Sequence, residues 1–310
     1  MPKVKPKLKT SLLKLQQEKK YRDKINSLSS TPYSKPKNKN KTTFIKPPPP
    51  PPYKPEDKIL LLGEGNFSFA HSLAKNILQT GHFITATCLD SKKTLNKKYE
   101  DAKDHIKSFT EYGGQIIYEV DATQLEKCKL LKDKRFDKIV FNFPHAGLGI
   151  KDQDRNILSN QKLLQAFFNS AIPFLSSKSL YSDINDGEIH VTMKTVEPYN
   201  QWNIKQLAKS TGQLAIKESI DFIPDQYPGY EHRRTLGYQK GKSKNSNDEI
   251  LSKKPKTIII CRKESLELEK LQKEAAKNDD DDDDDDGKPS VKNKKKKNMG
   301  KKVKFNLNNF

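Results

Sequence analysis

The feature that most constrains the fold is a repeated ending. Between residues 58 and 144 four apolar runs each stop at a residue suited to meeting a ligand. Ile59-Leu60-Leu61-Leu62 breaks at Gly63-Glu64-Gly65, and a helical pattern follows through about Gln79. Phe83–Leu89 ends on Asp90, Gln115–Val120 on Asp121, and Phe136–Phe143 runs into Asn142-Phe143-Pro144-His145. A polar helix is predicted over 92–112, stopped by Gly113-Gly114. Apolar strands that alternate with helices form a parallel sheet covered on both faces. In such sheets ligands sit at the carboxyl ends of the strands, near the switch in strand order.

The pattern continues with a helix over Asn156–Leu175, a fifth strand at Glu188–Lys194, and a helix around Trp202–Ser210. A sixth strand at Leu214–Phe222 and a seventh at Thr257–Arg262 break the alternation. Between them lie roughly 35 irregular residues containing Tyr227-Pro228-Gly229-Tyr230, with a stretch rich in Lys, Ser and Asn over 239–256. A loop of that length is usually functional or disordered. The expected fold class is α/β: a Rossmann-like, mostly parallel, seven-stranded sheet with helices on both faces.

Charge separates this core from its flanks. Residues 1–55 carry 15 Lys/Arg against 2 acids and end in six prolines, Pro47 to Pro52, a stiff spacer. Residues 264–310 balance 12 lysines against 12 acids, with eight aspartates at Asp279–Asp286 and a Lys-rich end. Like-charge blocks repel and stay solvated, so 1–55 and 264–310 read as disordered charged tails around a domain at 56–263. That domain keeps +7 of the net +20. A polyanion is the natural partner, and nucleic acid fits better than a membrane; the basic tail could also serve only solubility or targeting. Cys88, Cys128 and Cys261 form no C-x-x-C pair, so neither a zinc site nor a disulfide framework is expected, and no metal is. No signal peptide or bilayer-spanning stretch is read, so a soluble, unexported protein is expected.

The strand ends suggest chemistry. Glycines at 63 and 65 let the backbone turn sharply and approach a ligand. A helix starting near Asn66 would offer backbone N–H groups to a ligand carboxylate. Asp90 is placed to accept from two ribose hydroxyls, and Asp121, followed by Ala122-Thr123, from an adenine amino group. Either aspartate alone could be a solvated strand end. The third glycine of the dinucleotide fingerprint is missing in Gly63-x-Gly65-x-x-Ser68, which disfavours a nicotinamide oxidoreductase. Asn142-Phe143-Pro144-His145 is either the reaction centre, able to hold a planar base by its edge, or an ordinary turn.

Leu62-Gly63-Glu64-Gly65-Asn66-Phe67-Ser68-Phe69 resembles the opening motif of the Rossmann-like uridine-N3 methyltransferases of large-subunit ribosomal RNA. Asp121-Ala122-Thr123, Phe141–Gly147 and Tyr227-Pro228-Gly229-Tyr230-x-His232-Arg233-Arg234-Thr235 are similar to its other motifs, so the likeness covers about 58–263. The resemblance implies a class I methyltransferase-type fold, S-adenosylmethionine as donor, and methylation of uridine N3 in fungal 25S rRNA in the nucleolus. Carried over, Gly63, Glu64, Gly65, Asn66 and Phe67 would line the methionine side, Asp90, Asp121 and Ala122 the ribose and adenine, and Asn142 both donor and target. Asn-Phe-Pro-His departs from the two prolines and aromatic of base amino-methyltransferases, so their mechanism does not transfer.

Uridine N3 carries a proton and attacks only once that proton leaves, and the base must be unpaired to expose it. His145 is the candidate proton acceptor, with Asn142 orienting the uracil. Phe143, Tyr230, His232, Arg233 and Arg234 are candidate RNA contacts, by stacking and by gripping phosphates. The arginines could instead be salt-bridged within the loop. The expectation is a monomeric nuclear and nucleolar enzyme acting on ribosomal RNA in pre-ribosomal particles; the alternative is a non-catalytic assembly factor retaining the fold.

Overall fold

The computed structural model describes residues 48–177, 186–237 and 247–279. The sheet and all that follows belong to the compact unit Pro50–Phe310. The strands are β1 (Ile59–Leu62), β2 (Ile84–Thr87), β3 (Gln115–Ile117), β4 (Lys138–Asn142), β5 (Glu188–Met193), β6 (Leu214–Asp221) and β7 (Lys256–Arg262). They form one sheet in the order β3-β2-β1-β4-β5-β7-β6. The first five run parallel, and β7 enters antiparallel to both β5 and β6. The order reverses between β1 and β4, so a crevice opens at their carboxyl ends. This is the class I methyltransferase-type arrangement expected from the sequence.

Period-two alternation divides the core between the faces. Leu60, Leu62, Ile139, Phe141, Ile189 and Val191 pack under α4 (Gln153–Ala171) and α5 (Ile204–Ser210). On the other face Ile59, Leu61, Ile84 and Ala86 meet α1 (Ser68–Ser72), α2 (Lys92–Lys98) and α3 (Ala102–Glu111). Two more helices complete the described part, α6 (Asp248–Leu251) and α7 (Lys263–Asp279). Among the described residues no helix is long and apolar enough to cross a membrane.

The elements differ from the sequence expectation in informative places. The helix expected over 92–112 is two, because Tyr99 turns extended and buries its ring so that its hydroxyl donates to the Arg234 carbonyl at 2.8 Å. The helix after β1 is short and widens into a π turn at Leu73–Ile77. α4 starts three residues before Asn156, because the Asp152 carboxylate caps it by accepting from the Arg155 N–H at 2.8 Å. Folded residues reach beyond 56–263 at both ends. Tyr53 is buried, 6.4 Å from the Phe69 ring and 5.6 Å from that of His190. α7 follows β7 directly and buries Ser265. The expectations for residues 1–47, for Asp280 onward and for 238–246 lie outside the described residues.

Because Tyr53 closes one face of the core, Tyr53→Ala is expected to lower stability by about 3 kcal/mol. Urea unfolding followed by circular dichroism checks this; an unchanged midpoint would place the folded boundary after Tyr53.

Candidate active site

The crevice begins with a turn only glycine can make. Gly63 has φ 65°, and a Cβ there would lie 2.5 Å from the Phe141 ring. The Glu64 N–H then donates to the Thr87 carbonyl at 2.9 Å, tying the turn to the end of β2. Asn66 is internally satisfied: Oδ1 accepts from the Ser68 N–H at 3.2 Å, and Nδ2 donates to Asp101 at 2.8 Å. The Ala70 N–H points at Glu64 Oε2, 3.4 Å away. The Ser68 and Ala70 N–H groups at the start of α1 therefore meet the chain's own oxygens, which corrects the expectation that these donors face a ligand carboxylate; Asn66 itself lines the cleft, as expected. Phe67 is corrected too. It takes a left-handed conformation at φ 63° and its ring is fully buried against Tyr118, away from the crevice. What faces the crevice is the Glu64 carboxyl, pushed up by burial to about 7, with the Ala70 N–H acting the other way. Such a group fits a cationic ligand atom.

The other strand ends converge here. Gly63, Glu64, Gly65, Asn66, Asp90, Asp121, Ala122, Asn142, Phe143 and His145 line one cleft of about 1020 Å³, its mouth included. Asp90 accepts two hydrogen bonds from Lys98 Nζ, both at 2.8 Å. Asp121 Oδ1 accepts from the N–H and hydroxyl of Thr123 at 2.8 and 2.7 Å. Asn142, the last residue of β4, has its Oδ1 held by the Thr192 hydroxyl at 2.6 Å, which leaves its amide N–H groups to donate. Thr192 Oγ1 lies 2.9 Å from Thr257 Oγ1, so the Asn142 amide is positioned from β7 through β5.

Residues 227–237 strap over the cleft. Ser68, which stands where a third glycine was missing, both donates to the Glu231 carbonyl and accepts from its N–H, each at 3.1 Å. Tyr230 is no stacking platform: its ring is buried among Phe69 and Phe222, a correction to its reading as an RNA contact. Arg233 is corrected likewise, because its guanidinium is engaged by Asp101 at 2.7 Å and by Glu231. Burial works against the Arg233 charge, but those two carboxylates more than offset it and raise its pKa. Asp101 thus holds the glycine turn, through Asn66, and the strap, through Arg233. Arg234 pairs with Glu249 at 2.9 Å and is more than a third exposed. His232 packs 4.7 Å from the Phe143 ring; burial pushes its pKa down to about 3 and keeps it neutral.

A second pocket opens from the cleft through Phe143, His145, His232, Arg233 and Thr235, and is completed by Lys194, Tyr199, Trp202 and Glu249 among others. Its aromatic walls suit a planar base. His145 Nδ1 accepts the Gly147 N–H at 2.9 Å, and burial, then Lys194, lowers its pKa. In the neutral ring the proton therefore sits on Nε2, and no lone pair remains to take one from a substrate. This corrects the proton-acceptor role: His145 is a donor. Trp202 adds another, its buried Nε1–H having no partner among the described residues. Lys194, just beyond β5, pairs with Glu249 at 3.1 Å. The sequence reading missed Lys98, Asp101, Lys194, Trp202 and Glu249. Their sole signal was the strand-end rule applied to β5; the rest come from distant segments.

The family described as rRNA (uridine-N3-)-methyltransferase BTM5-like matches residues 60–234. The chain is 42% identical to the Arabidopsis thaliana protein At4g26485, over 60% of this chain and 85% of that one. It is 36% identical to heavy metal-associated isoprenylated plant protein 41 of Arabidopsis thaliana, over 60% of this chain and only 34% of that one. It is 30% identical to the 25S rRNA (uridine(2634)-N(3))-methyltransferase of Saccharomyces cerevisiae, over 60% of this chain and 68% of that enzyme.

The ion pairs of Arg233 imply an outcome unlike that of a nucleic-acid contact. Arg233→Ala is expected to lower folding stability by roughly 2 kcal/mol, because it strips partners from Asp101 and Glu231. Its affinity for single-stranded RNA should change less than about threefold. Urea unfolding and fluorescence anisotropy read the two effects; a reversed ranking would restore Arg233 as an RNA contact.

Proposed function

The chain belongs to the rRNA (uridine-N3-)-methyltransferase BTM5-like family, and on that premise we propose that it methylates N3 of a uridine in large-subunit ribosomal RNA, with S-adenosylmethionine as donor. The observation that carries this reading is the convergence of Gly63–Asn66, Asp90, Asp121 and Asn142–His145 on one cleft that opens into an aromatic pocket. The donor's methyl group, bound to a sulfonium, would pass from the first space into the second.

The chain's residues divide the work. Glu64 meets the donor's ammonium, which suits a carboxylate taken out of water. Asp90 would accept from the ribose hydroxyls when Lys98 yields its place, and Asp121 from the adenine amino group through Oδ2, beside the Gln124 Nε2 that donates to it at 3.3 Å. Phe143 and His232 bound the target uracil. Asn142 at the end of the cleft and His145 and Trp202 in the pocket each offer N–H donors, and Lys194, paired with Glu249, stands beside them. With the Glu249 carboxylate held by Lys194 and Arg234, these donors do not pull a proton from N3; they stabilise the charge left on the uracil carbonyl oxygens when that proton departs to water. Alignment and exclusion of water by the strap complete the displacement. The site of action is the nucleus and nucleolus, on pre-ribosomal particles, with the chain as a monomer.

Mass spectrometry of rRNA nucleosides tests the activity. Rising 3-methyluridine is expected when the full chain, S-adenosylmethionine and rRNA from cells lacking the protein are combined; binding of RNA and donor without product would leave an assembly factor. With donors rather than a histidine base, the single-turnover rate should climb roughly tenfold per pH unit near neutrality. His145→Ala should lower it about 100-fold with the same slope. A plateau near the ordinary histidine value of about 6.5 that His145→Ala abolishes would reinstate the base. Glu64, raised by burial to about 7, must ionise to meet an ammonium. Donor affinity should therefore strengthen as pH rises through about 7, until the amino group itself deprotonates near ~8. Calorimetry of Glu64→Gln should show a flatter profile; an unchanged one would remove Glu64 from donor binding.

A further inference from the structure

Beyond the base pocket the surface continues as a groove that the function above leaves without a role. Met193, Lys194 and Tyr199 belong to both spaces, so one leads into the other. Four lysines, Lys194, Lys205, Lys209 and Lys256, line the groove, and no carboxylate does. Lys194 and Lys256 are paired, with Glu249 and with Asp221. Lys205 and Lys209 are exposed, one turn apart on α5, and have no ion-pair partner among the described residues. Two like charges at that spacing repel, a cost offset where a polyanion lies across both. Asn200, Asn203 and Gln206 add side-chain amides along the same wall, and these can meet phosphate oxygens and 2′-hydroxyls.

We propose that this groove holds the sugar-phosphate backbone of the single-stranded RNA flanking the target uridine, with Lys205 and Lys209 each neutralising a phosphate. The inference rests on the methyltransferase reading for the uridine in the adjoining pocket, but the groove's affinity for RNA is measurable without turnover. Its position also fixes the path: the strand leaves the base pocket past Tyr199 and Lys194 and runs along α5, on the side of the pocket away from the donor cleft.

The test uses the full chain and a labelled oligouridylate, with anisotropy read across a salt series. For single strands log K falls with log salt at about 0.7 per neutralised phosphate, so Lys205→Glu/Lys209→Glu should reduce that slope by about 1.4. The basic N-terminal segment contributes equally to both proteins and cancels in the difference. The milder Lys205→Gln/Lys209→Gln pair should show the same loss of slope, and calorimetric binding of S-adenosylmethionine should stay unchanged in both. Lys127→Glu/Lys129→Glu, an exposed pair outside this groove, controls for net charge. Equal slopes in wild type and both groove variants, or an equal loss in the control, would overturn the groove. Wild-type protein that binds through the groove yet methylates no rRNA would instead sink the methyltransferase reading and leave the groove standing.

Discussion

The contact between Phe141 and the bare backbone of Gly63 governs the geometry of the site. Phe141 lies on β4 beside Leu62 of β1, the two strands between which the sheet reverses. Its ring comes so close to Gly63 that no side chain fits, and the backbone must turn left-handed. That turn brings the Glu64 N–H to Thr87 and its carboxyl into the cleft. It also sets Asn66 where Asp101 can hold it, and Asp101 in turn holds Arg233 of the strap. One close approach thus links the sheet's reversal, the cleft floor and its cover.

The sheet was legible in the sequence because burial on two faces leaves near-continuous apolar strands, and because polar ends fall where such sheets place their ligands. Asp90, Asp121, Ala122, Asn142 and His145 were singled out this way, and they line one cleft. The errors share a cause. Phe67, Tyr230 and Arg233 sit inside recognisable motifs, yet their side chains serve the loop that bears the motif. A motif marks which backbone segment matters; whether a side chain faces the ligand or the scaffold depends on partners far off in sequence, such as Asp101 for Arg233 and Asn66. The break at Tyr99 was hidden for the same reason, since only contact with Arg234 shows why the helix stops there.

The character of the second pocket follows from hydrogen-bond direction more than from residue type. A histidine in a reaction centre suggests a base, but a backbone N–H on Nδ1 turns it into a donor. Its neighbours agree: Trp202 can only donate, the Glu249 carboxylate is held by Lys194 and Arg234, and at the adjoining cleft the Asn142 amide oxygen accepts from Thr192. The pocket is arranged to receive negative charge. The lysines of α5 extend that preference along the surface.

The most direct test of the account is a crystal structure of the full chain with S-adenosylhomocysteine. The predicted result is a ribose within hydrogen-bonding distance of Asp90, an adenine amino group at Asp121, an ammonium at Glu64, and sulfur facing the pocket of Phe143 and His145. Density elsewhere on the molecule, or an adenosyl group turned away from both aspartates, would contradict it.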